Sequence, residues 1–197
     1  SGPGGVVWGL NAVNGVINIT TRSARDTQGG MLALQGASDG SGGAAFRQGG
    51  TSAGGVAWRV FGKTTRRSDS ARIEGGRIDD SHRRAMAGVR ADWEQGSDRY
   101  SVVGNVYQGR LDQPQPGEIA VPRGPTELGR VRSDGANLTA RWRRGLEGGG
   151  DIAVQAYLDH TVRESPPLFS ERLTTADVQF QHTLPAAGRH GVVWGAN

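Results

Sequence analysis

Two pentapeptides, Gly36-Ala37-Ser38-Asp39-Gly40 and Gly50-Thr51-Ser52-Ala53-Gly54, have the G-x-S-x-G spacing that in a hydrolase exposes a serine nucleophile on a sharp turn. That turn must lead from a strand into a helix. Neither segment is followed by helical periodicity, so both read as turn sequence in a chain with 33 glycines. The four histidines, His82, His160, His182 and His190, lack the spacing of a metal-ligand pair on one helix or hairpin, and read as strand-end or interface residues. Asp69, Asp79 and Asp80 share a stretch of the chain and are hard oxygen ligands of the kind calcium takes. The same residues are equally at home in a solvated loop, which is the reading adopted. The expectation is therefore a chain without a catalytic site, cofactor or resident metal.

Composition narrows the class further. The 197 residues include no cysteine, so no disulfide framework exists. Mean hydropathy is −0.50 and no window approaches the roughly 18 apolar residues of a transmembrane helix. Strands that cross a membrane escape this test, because only alternate residues face lipid. Of the 23 basic residues only Lys63 is lysine, and the arginines are scattered at alternating positions, forming no basic helix or aromatic-interleaved stripe. Nucleic acid is therefore not an expected partner, despite a pI near 10.3.

Those residues must be positioned by strands, because period-two alternation recurs along most of the chain. Residues 29 to 38 and 42 to 50 form a weak glycine-rich pair. In 55 to 66, Val56, Trp58 and Val60 oppose Arg59, Lys63 and Thr65. In 82 to 94, Ala85, Ala87, Val89, Ala91 and Trp93 oppose Arg84, Arg90 and Asp92. In 98 to 109, Tyr100, Val102 and Val106 oppose Arg99, Ser101 and Asn105. The run 135 to 144 sets Leu138 and Trp142 against Arg141 and Arg143, 151 to 161 sets Val154 and Leu158 against Gln155 and Asp159, and 173 to 183 sets Val178 and Phe180 against Asp177 and Gln179. A ninth strand begins at His190. Short turns at 51 to 54, 95 to 97, 145 to 150 and 185 to 189 alternate with longer connections at 67 to 81, 110 to 133 and 162 to 172.

The start of the chain is the most specific segment. Gly2-Pro3 sets a turn, Asn14-Gly15 supplies a second point of reversal, and Val16-Ile17-Asn18-Ile19 alternates as a strand. The order of residues resembles the end of the plug domain of TonB-dependent outer-membrane receptors. In that family a Gly-Pro turn, an aromatic-Gly pair and an Asn-Ala-Val-Asn-Gly-Val-Ile-Asn-Ile run lead into the barrel. Here the matching positions are Gly2 and Pro3, Trp8 and Gly9, then Asn11, Ala12, Val13, Asn14, Gly15, Val16, Ile17, Asn18 and Ile19. Where the family usually has arginine before the Gly-Pro, this chain has Ser1.

The resemblance implies an all-β fold. Residues 1–24 would be the C-terminal end of a plug domain, and 25–197 the first nine strands, about, of a 22-stranded transmembrane antiparallel β-barrel. It implies the outer membrane of a Gram-negative bacterium, a monomeric barrel, and contact with membrane lipid and lipopolysaccharide. It also implies energy-coupled uptake of a scarce large nutrient, most often a ferric siderophore, driven by TonB through an upstream segment. On this topology Trp58, Trp93, Trp142 and Trp194 form a periplasmic aromatic girdle. Arg59, Arg90, Arg99, Arg141 and Arg143 face the lumen, to contact the plug or draw in an anionic ligand. Two alternatives stay open: a passive or structural outer-membrane barrel without a plug, and a soluble β-rich enzyme or binding domain whose tryptophans are core residues.

Overall fold

Strict alternation over long runs leaves the backbone one economical arrangement, a sheet in which each strand pairs with the next. The computed structural model has that arrangement; it describes residues 20–115, 128–185, 188 and 190–197. The segment Gly2 to Ile19 lies outside the described residues, as do 116–127 of one long connection. The fold is all-β, a single nine-stranded sheet in sequence order with every neighbouring pair antiparallel. The strands are β1 (Gly29–Gly36), β2 (Gly42–Thr51), β3 (Ala57–Arg67), β4 (His82–Gln95), β5 (Asp98–Leu111), β6 (Val131–Gly145), β7 (Asp151–Ser165), β8 (Phe169–Thr183) and β9 (Val193–Ala196). The only helical element among the described residues is a three-residue 3-10 turn, Arg25–Thr27, beginning where the sequence reading divides the chain. No helix among them is long and apolar enough to cross a membrane, which says nothing about strands.

All nine strands expected from alternation are present, with different ends. The connection placed at 162 to 172 is a correction: β7 and β8 continue until only Pro166 to Leu168 remain between them. The reason is cross-strand complementarity beyond the apolar stretch. Arg163 lies opposite Glu171, Thr161 opposite Leu173, and the Arg163 guanidinium sits 5.2 Å from the centre of the Phe169 ring. The connection at 110 to 133 shrinks for the same reason, since β5 and β6 pair as far as Leu111 and Val131. The last strand starts at Val193, three residues after His190.

The register keeps side-chain parity intact from strand to strand. One row reads Trp93, Tyr100, Trp142, Val154, Phe180 and Ala196 across β4 to β9. Another reads Val60, Val89, Gly104, Leu138, Leu158 and Ala176 across β3 to β8. One face of the sheet is thus apolar and the other polar. The apolar face is not covered: Leu34 is 75 % exposed, Val178 63 %, Val106 56 % and Val89 51 %. Among the described residues the only buried apolar side chains are Ala24 and Ala57, and no large side chain is fully buried.

Glycines are spent where aromatic rings cross the sheet. Phe46 lies over Gly62, Trp58 over Gly50, Phe61 over Gly88 and Tyr107 over Gly135, each ring covering the glycine directly opposite or beside it. The turns use glycine differently. Gly148, Gly149 and Gly150 all have positive φ, and a Cβ on Gly150 would lie 2.3 Å from the Thr183 carbonyl oxygen, whereas Gly148 faces open space. Gly148→Ala is expected to carry only the cost of left-handed backbone, about 1–2 kcal/mol. Gly150→Ala adds a backbone collision and should lower the unfolding midpoint further; equal effects would contradict the close approach to β8.

The 68–81 connection is closed by its own carboxylates. Ser70 donates its amide and hydroxyl to Asp80 at 2.7 and 2.6 Å, the Ser81 amide donates to Asp69 at 2.9 Å, and the Ser81 hydroxyl donates to Asp112 at 2.6 Å. No group of three His, Cys, Asp or Glu among the described residues is arranged to hold a metal ion. The hydrogen bonds from Ser70 hold the Asp80 carboxyl below its ordinary value of 3.8, and those from Ser81 and Arg130 do the same for Asp112. A depressed carboxyl stabilises the fold above its unfolded pKa and loses that contribution as pH falls through the folded one. The Ser70 amide resonance should therefore hold steady from neutral pH and shift with a midpoint below 3.8. A midpoint at or above that value would mean the loop is closed by something else.

Candidate functional site

The site with the densest polar chemistry lies on the polar face near the 52–56 and 96–97 turns, where residues 20–28 cross β2, β3 and β4. Pairing places Arg59 directly opposite Arg90. Like charges facing each other across strands repel, so the pair needs compensation. Asp92, two residues along β4 on the same face, supplies it: Arg90 donates Nε and Nη2 to the two Asp92 oxygens at 2.8 and 2.9 Å, a bidentate pair. The same carboxylate accepts the Ala24 amide at 2.6 Å and the Ser23 hydroxyl at 3.4 Å. Asp92 thereby ties the crossing segment to the sheet.

Both arginines use their remaining donors on that segment. Arg90 Nη1 donates to Thr21 Oγ1 at 2.7 Å, and Arg59 Nη1 donates to the Arg22 carbonyl at 2.9 Å and to Thr27 Oγ1 at 3.2 Å. Ala24 and Thr27 are buried against the sheet. The approach is close enough that a Cβ on Gly49 would lie 2.4 Å from the Thr27 carbonyl oxygen, so glycine is what lets the segment lie flat on β2. Thr51 donates to the Gln28 side chain at 3.1 Å, completing the contact.

The other three arginines of interest lie on the same face, further from the segment. Arg99 lies opposite Arg143, and each turns to a different carboxylate: Arg99 approaches Glu94 at 3.9 Å, while Arg143 donates two hydrogen bonds to Asp151 at 2.7 and 2.9 Å. Arg141 donates to Gln155 at 3.1 Å. With Thr21, Arg25 and Arg90 these three line a cavity of about 660 Å³ beside the crossing segment. Five arginines line it together with Asp92 and Glu94, so its charge is mixed with a basic excess, which favours an anionic group over a cationic one.

On the opposite, apolar face the same end of the sheet carries aromatics. Trp93 stacks on Tyr100 with ring centres 5.0 Å apart, Trp194 meets Phe180 at 5.3 Å, and Trp58 occupies the next row of side chains. Trp142 donates its indole N–H to Asp98 at 2.8 Å, and Asp98 also holds Arg144 through two hydrogen bonds. A ring with an apolar body and a satisfied N–H is suited to a boundary between apolar and aqueous surroundings.

Asp92 and Asp98 organise these two clusters, and sequence reasoning did not single out either. A signal for Asp92 was available, since Arg90 and Asp92 share a face two residues apart. Nothing in the local sequence indicates that residues 20–28 return to cover that pair. Asp92→Asn is expected to free the crossing segment at a cost of about 1–3 kcal/mol, because Arg59 and Arg90 then face each other without a carboxylate. Amide exchange at Ala24 should accelerate, while Asp177→Asn on the same face leaves it unchanged; slow exchange in the Asp92 variant would contradict the clamp.

No family model, no curated protein and no solved structure matches this chain.

Proposed function

We propose that this chain is part of a TonB-dependent outer-membrane receptor, with the end of its plug leading into the first strands of the barrel wall. The observation that carries the membrane part is the uncovered apolar face. A nine-stranded sheet exposes a band of apolar side chains on one parity, from the Trp93 row to the Val106 row, while the other parity is mainly polar. In water such a face is a liability; against lipid tails it is the required surface. A sheet whose β1 and β9 have no outer neighbour among the described residues closes only by acquiring further strands, and closure is what a membrane demands of a sheet.

The transport part rests on the Gly2 to Ile19 resemblance, with support from the polar face. Arg59, Arg90 and Asp92 hold the segment that follows the motif against what would be the inner wall. That is the arrangement needed for a plug anchored inside a barrel. The cargo class follows from the family and is most simply a ferric siderophore, whose anionic groups suit an arginine-lined interior. Trp58, Trp93, Trp142 and Trp194 would then mark the periplasmic boundary, with the 68–81 and 112–130 connections outside the cell.

The decisive experiment is uptake. Cells dependent on the complete protein should accumulate a radiolabelled ferric siderophore only when TonB is present. Uptake independent of TonB would favour a passive barrel, and failure of the protein to partition with outer membranes would remove both readings. A physical test is independent of cargo. Leu138 lies on the apolar face, four residues from Trp142 on a strand that continues to Val131. Leu138→Arg is expected to cost about 2–4 kcal/mol in a bilayer, the penalty for a charge near mid-depth. Thr139→Arg, facing the other way, should cost much less. A cooperative melt of the wild-type protein in buffer without detergent or lipid would point to the soluble alternative.

A further inference from the structure

The arginines that hold the crossing segment occupy one part of the polar face. The row that starts as Arg59 and Arg90 on β3 and β4 continues across β5 to β8 as Val103, Thr139, Tyr157 and Asp177. The next row on the same face reads Asn105, Asn137, Asp159 and Thr175, and the one after it Tyr107, Gly135, Thr161 and Leu173. No lysine, arginine or histidine stands in these three rows on β5 to β8. Closer to the 96–97 turn each carboxylate of this face has a guanidinium, Asp92 that of Arg90, Glu94 that of Arg99 and Asp151 that of Arg143. Asp159 and Asp177 have no cationic partner among the described residues.

Amide, hydroxyl and phenol groups fill these rows instead. Thr161 donates to Asp159 at 2.9 Å, and because it has one proton to give, the 3.2 Å contact between Tyr107 and Thr161 has the phenol as donor. Asn105 donates to the Asn137 side-chain oxygen at 2.9 Å, which leaves the Asn137 amide hydrogens without an acceptor among the described residues. The Asp177 carboxylate and the Thr139 hydroxyl are likewise unspent there. Two rings frame the amide pair. Phe61 lies over Gly88, which pairs with Asn105, and Tyr107 lies over Gly135, two residues from Asn137 on β6. Each ring takes the space a Cβ would fill, so it lies low against the sheet.

We propose that this part of the polar face binds a neutral saccharide. The proposal rests on the transport reading above, in which the polar face is the inner wall of a barrel, and it names the class of cargo that wall accepts. Sugar hydroxyls come in adjacent pairs, and a planar amide or carboxylate engages two neighbours at once. Asn137 offers donors while Asp159 and Asp177 offer acceptors, and a hydroxyl that both gives and accepts satisfies either kind. The apolar side of a pyranose ring packs on Tyr107 or Phe61. An anionic ligand would meet Asp159 and Asp177 as like charges. An organic cation would use those carboxylates but leave the Asn137 amide hydrogens unmatched once their water is displaced. Arg59 and Arg90, at the edge of this wall, are already spent on Asp92 and residues 21–27.

The test uses the whole protein that carries this chain, purified in a detergent without a sugar headgroup and titrated calorimetrically with maltohexaose and cellohexaose, two neutral glucose oligomers of different shape. The wild type should bind at least one of them, and Asn137→Ala/Asp177→Ala should weaken that binding by about tenfold. Gln108→Ala, next to Tyr107 but on the opposite parity, should leave it unchanged. If the double variant fails to fold, Asp177→Val alters a side chain bonded to nothing among the described residues and should still weaken binding several-fold. Hexagalacturonate, with a carboxylate on every ring, should bind the wild type about tenfold more weakly than the neutral oligomer. Equal binding of hexagalacturonate, or saccharide binding untouched by the substitutions, overturns the inference, and displacement of the saccharide by spermidine assigns the wall to a cation instead. A protein that takes up a ferric siderophore through TonB yet binds neither oligomer removes this inference alone. A protein that binds the oligomer but does not partition with outer membranes keeps the saccharide site and removes the transport reading.

Discussion

Everything in this structure depends on register. A strand shows alternate side chains to opposite faces, so a slip of one residue between neighbours would move a whole apolar set to the polar side. Across eight consecutive pairings no such slip occurs: Trp93, Tyr100, Trp142, Val154 and Phe180 keep to one face from β4 to β8. Tight turns hold this alignment at one end, with Gly96 at positive φ between β4 and β5 and Gly148 to Gly150 between β6 and β7. Aromatic rings laid over glycines lock it further in, because Tyr107 fits only where Gly135 stands opposite.

Register also explains why charges occur where a simple alternation would not put them. Pairing sets Arg59 against Arg90, Arg99 against Arg143 and Arg83 against Arg110. On the polar face each conflict is relieved locally, by Asp92, by Glu94 or by Asp151. The relief at Asp92 extends to residues 21–27, so one carboxylate settles an electrostatic conflict within the sheet and fixes a second piece of chain upon it. On the apolar parity Arg66, Arg83, Arg110 and Arg132 stand in one row and the relief is partial: Asp134 takes Arg110 and Arg132, while Arg66 has no carboxylate partner among the described residues.

The strands were legible in the sequence because alternation of apolar and polar residues is a local property: Ala85 to Trp93 shows it without reference to any neighbour. Their ends were not. Val162, Arg163 and Glu164 look like loop when read alone, and they become strand because Arg172, Glu171 and Ser170 stand across from them. The same limit hid the arginine row. Arg110 and Arg132 fall just outside the stretches that alternation delimits, and only pairing shows them to be level with Arg66 and Arg83. That the five arginines share the polar parity was readable, but their partners were not, since Asp92 meets Ala24 across 68 positions of chain.

The order of the sheet has a consequence for how such a chain is made. Each strand pairs only with its immediate predecessor and successor in sequence, so every pairing in the sheet closes across a single connection, short at 166–168 and longer at 68–81 and 112–130. A wall of this kind can grow one strand at a time, with the newest strand always the exposed one. At every intermediate length the described strands present two outer edges, one at β1 that waits from the beginning and one that keeps advancing. Protection of that waiting edge, rather than the pairing of any particular strand, is then the problem that a cell assembling this protein has to solve.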